Sequence, residues 1–259
     1  MRCIFCKRDS STSKRIEHIV PESLGNKDHT LPVGVVCDTC NSYFGLKVEK
    51  PLLDSDYFRQ GRFRNVICNK EGRITTIQGL LLPGIVPIEI YRDEEGQSVF
   101  PTRERDLAAF IQSLQSNRQG KLVFPVTEGP DHHLMSRFLA KAALEIFAFR
   151  CLKIPGVLDE LIDKRELDEL RQYARFGASP AYWPFSTRPI YPEGKVFSEG
   201  TEKYEVLHEF DLLYTESNEL YVVMAIFGIE YVLNMGGREI DGYVEWLKQH
   251  NFKSPLGYQ

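Results

Sequence analysis

Four cysteines near the start of the chain have the spacing of a metal site. Cys3 and Cys6 form one Cys-x-x-Cys pair, Cys37 and Cys40 form a second, and thirty residues separate the pairs. Each pair makes a tight turn that presents both sulfurs to one point, so the four thiolates can surround one tetrahedral zinc. Disulfides would need an oxidising compartment, which nothing at the N-terminus suggests. The spacing therefore predicts a structural Zn²⁺ held by these four cysteines.

The insert between the pairs carries a second pattern. It contains Glu17 directly followed by His18, and Asn41 directly follows the last cysteine. This arrangement resembles the HNH endonuclease family, in its variety with four cysteines, over about the first fifth of the chain. The residues that carry the resemblance are Cys3, Cys6, Glu17, His18, Ile19, Pro21, Glu22, Ser23, Gly25, Cys37, Cys40, Asn41 and Gly45.

The resemblance implies a ββα-metal module, in which a two-stranded ribbon and a helix enclose one catalytic metal ion. On this sequence the strands would run over 16–20 and 33–36, with the loop over 23–32 and the helix over about 39–50. Asn41 would lie in the first turn of the helix, with its side chain turned back toward the first strand. Because so short a module has little core, zinc is expected to supply part of its folding energy.

The resemblance also implies a chemistry for three side chains. A phosphodiester is an anionic, poor electrophile, so its hydrolysis needs a base for water and a cation for the leaving oxygen. His18 takes the role of general base, since histidine is the side chain that accepts a proton near neutral pH. Glu17 and Asn41 offer hard oxygen ligands, which favour Mg²⁺ or Mn²⁺ as the catalytic ion. The expected substrate is DNA, with RNA left open.

One position departs from the family pattern. Many members have an asparagine five residues before the third cysteine, where it orients the histidine's loop, and this chain has Pro32 there. Thr30 and the backbone are the candidates for that orienting role. Glu22 and His29 lie in the same insert and could add ligands, although a solvated loop position is the default for both residue types.

The remainder of the chain indicates a second domain. With 259 residues, 42% hydrophobic and 12% aromatic, the chain has the composition of a globular protein. The fold class is α+β: a zinc-stapled HNH module over 1–55, followed by a mixed domain of antiparallel sheet and helices over 60–259. The expected elements after the module are a basic link over 57–64, hairpins over 65–77 and 85–100, helices over 102–117 and 131–152, a meander over 204–233 and a final helix over 239–250.

Charge and hydropathy limit the compartment and the partners expected for the protein. The chain has no run of eighteen apolar residues and no leader-like start, which predicts no membrane span and a cytoplasmic protein with Cys68 and Cys151 as buried thiols. The net charge is −4, yet residues 1–64 hold eleven Lys and Arg against eight Asp and Glu. A locally basic module on an acidic body can still attract phosphates, because screening makes that attraction local. The candidates for backbone contacts are Lys14, Arg15, Lys47, Arg59, Arg62 and Arg64.

Three functions are compatible with these patterns. The first is a metal-dependent DNA endonuclease, for which family analogy suggests a role in anti-phage defence. The second is a non-catalytic, zinc-stabilised nucleic-acid-binding protein, favoured by the missing asparagine. The third is a ligand-sensing C-terminal domain with the nuclease as its output. A homo-oligomer is left open for all three.

Overall fold

Helices and antiparallel sheets make up the fold, as the α+β prediction requires. The structure is a computed structural model of the chain. It describes residues 1–68, 72–93, 95–116, 120–178, 180–192, 195–199 and 202–256.

The N-terminal ribbon is shorter than expected. Strand β1, Glu17–His18, pairs antiparallel with β2, Thr30–Leu31, with Glu17 opposite Leu31 and His18 opposite Thr30. The expected second strand at 33–36 is therefore wrong. Gly34 has φ +95°, which takes the chain out of the extended conformation, and the Val35 carbonyl accepts a hydrogen bond from Ile4 N–H at 3.0 Å. This segment thus joins the cysteine turns rather than the ribbon.

The helix of the module changes its winding partway. Helix α1, Asp38–Phe44, leads into one wider π turn over Gly45–Glu49, and α2, Lys50–Leu53, follows. Within the π turn, Lys50 N–H donates to Gly45 O, five residues back. In a regular α-helix the Pro51 ring would clash with the carbonyl four residues earlier, and the wider turn avoids this. The helix therefore continues through Pro51, where the sequence predicts a break.

The middle of the chain forms a four-stranded antiparallel sheet with two helices. Its elements are α3 Asp56–Arg64, β3 Ile77–Leu82, β4 Val86–Arg92, β5 Gln97–Pro101, α4 Leu107–Ser116 and β6 Lys121–Val123. The strand order is β5-β4-β3-β6, and Phe63 of α3 and Phe110 of α4 pack against the buried face of the sheet.

Two expectations for this region are corrected. The basic link over 57–64 is helix α3, because Phe58 and Phe63 supply buried positions between its arginines. The expected hairpin over 65–77 is reduced to one bridge between Cys68 and Ile74, and its turn, 69–71, lies outside the described residues. Cys68 is exposed, in contrast to the expected buried thiol.

The last part of the chain has its own sheet and helices. Its elements are α5 His132–Cys151, α6 Val157–Asp163, α7 Asp168–Phe176, β7 Ser186–Pro189, β8 Val196–Glu199, β9 Glu202–Glu205, β10 His208–Tyr214, β11 Leu220–Ile226, β12 Ile229–Asn234 and α8 Asp241–Gln249. The main sheet is antiparallel with strand order β10-β11-β12-β7, and the predicted long helix, meander and final helix are confirmed.

This sheet is covered on both faces. Tyr221, Val223 and Ala225 of β11 pack in one cluster with Tyr243 and Leu247 of α8, while α5 contacts β10 and β12. Successive strand side chains point to opposite faces, so β11 is buried almost throughout. Helix α5 is buried over most of its length, and the Asp131 carboxylate caps it by accepting from Leu134 N–H at 2.8 Å.

The chain packs into two compact units. One comprises 1–22, 26–52 and 131–259, and the other comprises 23–25 and 53–130. The boundaries of these units differ from the predicted division into 1–55 and 60–259, because residues 131–259 pack with the cysteine module. Helix α5, for example, contacts β2 and the π turn. Among the described residues, no helix combines the length and apolar character needed to cross a membrane.

Candidate active site

The four cysteines of the two pairs lie together. The Sγ atoms of Cys3, Cys6, Cys37 and Cys40 are all within 4.8 Å of one another, and those of Cys6 and Cys37 are 3.7 Å apart. A tetrahedron with Zn–S bonds of about 2.3 Å has sulfur separations of about 3.8 Å. The cluster is therefore compatible with a structural zinc.

Backbone amides support the sulfurs of this cluster. Cys37 N–H points to Cys3 Sγ and Cys40 N–H points to Cys37 Sγ, each at 3.4 Å. A hydrogen bond from the Cys40 thiol, together with such amides, lowers the pKa of Cys3 to about 4. The same hydrogen bond raises the pKa of Cys40, and burial raises that of Cys6. The thiolate is the form that binds zinc, so this environment favours one thiolate, at Cys3, before the ion draws the protons from the others.

Hydrogen bonds attach the start of α1 to the chain just before β1. The Asp38 carboxylate accepts from the backbone N–H groups of Arg15 at 3.0 Å and Lys14 at 3.1 Å, and these bonds lower the pKa of Asp38. Asn41 Nδ2 donates to Ile16 O at 3.2 Å. The structure thus brings the Asn41 side chain back to the beginning of the strand that carries Glu17 and His18.

Asn26 organises the loop between β1 and β2. Its side chain is fully buried, and Nδ2 donates to Val20 O at 2.6 Å and to His29 O at 3.0 Å. Its Oδ1 accepts from His29 N–H at 2.9 Å and Asp28 N–H at 3.1 Å. Asn26 therefore makes the loop-orienting hydrogen bonds for which Thr30 and the backbone were the sequence candidates. The sequence signal was an asparagine directly after Gly25, a pair typical of turns.

Glu17 lies in a buried charged cluster. The ammonium of Lys141, in the middle of α5, is 2.8 Å from Glu17 Oε1, 2.6 Å from Glu49 Oε1 and 3.0 Å from Glu145 Oε2, and it lies 3.4 Å from His18 O. Lys141 and Glu145 are 0% exposed. Sequence reasoning missed this lysine, whose only signal is its spacing of four residues from Glu145, the other charge in a mostly apolar stretch of helix.

The cluster holds three carboxylates and one ammonium. Burial opposes the charge of Lys141, yet the attraction of the carboxylates outweighs it and keeps its pKa well above the ordinary lysine value. Burial raises the pKa of Glu17 and, more strongly, that of Glu145. Lys141 therefore stays protonated, and its single positive charge faces three carboxylates.

Within the described part of the chain, two buried atoms of β1 itself lack a hydrogen-bond partner: Glu17 Oε2 and His18 Nδ1. In the adjacent charged cluster the same holds for Glu49 Oε1 and for both carboxylate oxygens of Glu145. Glu17 thus has one oxygen held and the other open, His18 follows it in the chain, and the Asn41 amide bonds the carbonyl of the residue before it. An open carboxylate oxygen fits the preference of Mg²⁺ or Mn²⁺ for hard ligands. Apart from the cysteines, the described residues gather no three His, Cys, Asp or Glu ligand atoms into a metal group. Mg²⁺ does not require such a group, because it keeps several waters and binds through one or two carboxylates.

The other candidate residues lie in different surroundings. His29 is not a solvated loop residue: its ring centroid is 4.8 Å from that of Phe210 and 5.4 Å from that of His208. Glu22 is exposed, as expected. Of the basic candidates, Lys14, Arg15 and Lys47 are exposed on the unit that contains the cysteines. Arg62 is directed inward, with Nη2 donating to Leu53 O at 2.9 Å. Arg59 and Arg64 belong, like Arg62, to the other unit.

The comparison with protein families agrees with this geometry. Residues 3–56 match the family model described as HNH endonuclease, which confirms the resemblance and indicates a nuclease module at this end of the chain. The match includes the cysteine cluster, both short strands and the helix through α2. No curated protein and no solved structure matches the chain.

Proposed function

We propose that this protein is a metal-dependent HNH endonuclease that hydrolyses the phosphodiester bonds of DNA. The observation that carries the proposal is the placement of Asn41 against the strand that bears Glu17 and His18, within a segment that matches the HNH family. A cytoplasmic location and a role in anti-phage defence accord with the reduced cysteines that zinc requires and with the family analogy.

Each of the three side chains has a distinct task in this proposal. Glu17 and Asn41 hold Mg²⁺ or Mn²⁺, which when bound supplies positive charge at the phosphate and the leaving oxygen. His18 accepts the proton of the attacking water at its imidazole. Asn26 and Asp38 keep these groups in place, since they fix the loop after β1 and the chain before it. The exposed Lys14, Arg15 and Lys47 attract the phosphate backbone.

Plasmid cleavage tests the assignment of His18. Supercoiled plasmid incubated with the full chain and Mg²⁺ or Mn²⁺ should be nicked, and His18→Ala should lower the rate by about 10²–10⁴-fold, the usual contribution of a general base. His132→Ala, which makes the same change at an exposed histidine, is the matched control and should keep the wild-type rate. Zinc content and far-ultraviolet circular dichroism should be equal in all three proteins. Cleavage by His18→Ala at the wild-type rate would exclude His18 as the general base. A parallel reaction with single-stranded RNA tests whether the substrate is DNA or RNA.

The non-catalytic alternative loses its main argument. That reading rested on the asparagine missing from position 32, and Asn26 makes the corresponding loop hydrogen bonds from a different place in the sequence. Binding of DNA without cleavage in any divalent metal would restore it.

A cavity supports the ligand-sensing alternative as a second candidate. Within residues 131–259 a cavity of about 610 Å³, a size suited to a small molecule, is lined by Tyr214, Lys164 and the three carboxylates of Glu166, Glu219 and Glu239. The acidic excess favours a ligand that carries an amine. If cleavage is switched on only by a cell extract or by a small molecule that carries an amine, the sensor is supported, whereas full activity of the purified chain argues against it.

A further inference from the structure

Lys141 contacts the candidate active site from a distant part of the sequence. It lies more than 120 positions after β1, yet its Nζ bonds Glu17 Oε1 at 2.8 Å and approaches His18 O at 3.4 Å. The lysine thus contacts both residues of the Glu-His pair, one through the side chain and one through the backbone. Glu17 Oε2 is left without a hydrogen-bond partner among the residues that the structure describes.

The chemistry of the cluster argues for more than packing. Replacing a buried ion pair by apolar side chains of similar volume is often neutral or stabilising. Holding α5 against β1 therefore does not by itself require a buried ammonium with three carboxylates. Carboxylates that bind metal ions, in contrast, are usually oriented by hydrogen bonds from a surrounding layer of residues. A lysine is well suited to this, because its ammonium carries three donors.

We propose that Lys141 is a positioning residue for the divalent-ion site: it fixes Oε1 of Glu17 and the His18 carbonyl, which leaves Oε2 of Glu17 for the ion. This inference rests on the proposed function of Glu17 as a metal ligand. It assigns to α5, outside the matched segment 3–56, a part in the nuclease site. Partners of this kind typically contribute 10–100-fold to metal affinity.

Manganese binding to the full chain is the test, measured by the electron paramagnetic resonance of free Mn²⁺. Lys141→Met alone leaves three buried carboxylates, so the double variant Lys141→Met/Glu145→Gln, which also removes one acid, guards against loss of folding. We expect the double variant to bind Mn²⁺ about 10–100-fold more weakly, with zinc content and circular dichroism unchanged. Glu145→Gln alone keeps the contact between Lys141 and Glu17 while removing one carboxylate of the cluster, so it measures how much of the loss comes from the second change. A loss as large as that of the double variant would overturn the role of Lys141.

Glu17→Gln separates the two proposals. If it abolishes Mn²⁺ binding while the double variant binds like the wild type, the role of Lys141 is overturned and the nuclease assignment stands. If neither change affects binding, Glu17 is not a ligand and both proposals are overturned. A crystal structure of the wild type with Mn²⁺ needs no variant: the bond between Lys141 and Glu17 Oε1 should persist, and a Glu17 that has left Lys141 to bind the ion with both oxygens would refute the inference.

Discussion

At the scale of single residues, the site depends on side chains that satisfy the backbone around β1. Asn26 bonds four backbone groups, and Asp38 bonds two more on the approach to the strand. None of these bonds touches a substrate. They matter because a strand of two residues has almost no ladder of its own to hold Glu17 and His18.

Replacing Asn26 should therefore damage the site without removing the zinc. Asn26→Ala leaves buried N–H and C=O groups unpaired, at a cost of about 1–3 kcal/mol for each group that water does not reach. We expect a lower melting temperature and loss of plasmid nicking at unchanged zinc content. Asn26→Asp is the matched variant, since it keeps the acceptor for His29 N–H but sets a buried carboxyl oxygen against Val20 O and His29 O, where Asn26 donates. It should be at least as damaged as Asn26→Ala, and full activity of Asn26→Ala would contradict the role assigned to the loop.

At the scale of elements, local patterns and long-range contacts differ in how well the sequence predicts them. The apolar pattern predicts α5, α8 and strands β10 to β12, because each is determined by periodicity along its own segment. The position of β2 depends instead on Gly34 and on the hydrogen bond between Ile4 and Val35. Helix α3 was predicted as a basic link because its arginines stand out in the sequence, although one side of the helix is buried. For the site, the cysteines and the Glu-His pair follow from spacing, whereas Lys141 depends on a contact across 124 positions that no local pattern contains.

The cysteine turns are the element whose stability depends on metal. Cys37 caps α1, with its Sγ accepting from Cys40 N–H. Serine is itself a good helix cap, so Cys37→Ser removes the zinc ligand and leaves the cap to the serine hydroxyl. We expect Cys37→Ser to lower the zinc content from about one atom per chain to near zero and to raise amide hydrogen exchange over residues 1–50. Cys68→Ser changes an exposed thiol and should leave both measurements as in the wild type. A Cys37→Ser protein with full zinc content would exclude the four-sulfur site.

At the scale of the whole molecule, residues 131–259 complete the unit that contains the cysteines. Besides Lys141, Arg171 of α7 is 4% exposed and donates from Nε to Ile4 O at 2.8 Å, inside the first cysteine turn. Tyr43 of α1 donates its hydroxyl to Arg175 O at 2.5 Å. Three separate parts of the module are thus bound by helices α5 and α7.

The matched segment alone should consequently be insufficient for catalysis. A peptide of residues 1–56 loses the partners of Glu17, Ile4 and Tyr43, so we expect it to bind zinc through its cysteines but to show poorly dispersed amide resonances and no nicking of plasmid. The full chain under the same conditions is the control. Cleavage by the peptide at the rate of the full chain would show that the later helices are dispensable.

The order of these segments along the chain has a consequence for synthesis. The polypeptide leaves the cysteine-containing unit at Leu52 and returns to it only at Asp131, so a ribosome that has made the entire family-matched segment must still translate to Lys141 before Glu17 has its counter-ion. At about 5–20 residues per second this delay lasts roughly 4–17 seconds. A nascent chain therefore carries its zinc ligands well before it can assemble the proposed nuclease site, and a chain cut short within the inserted unit lacks the lysine that pairs with Glu17.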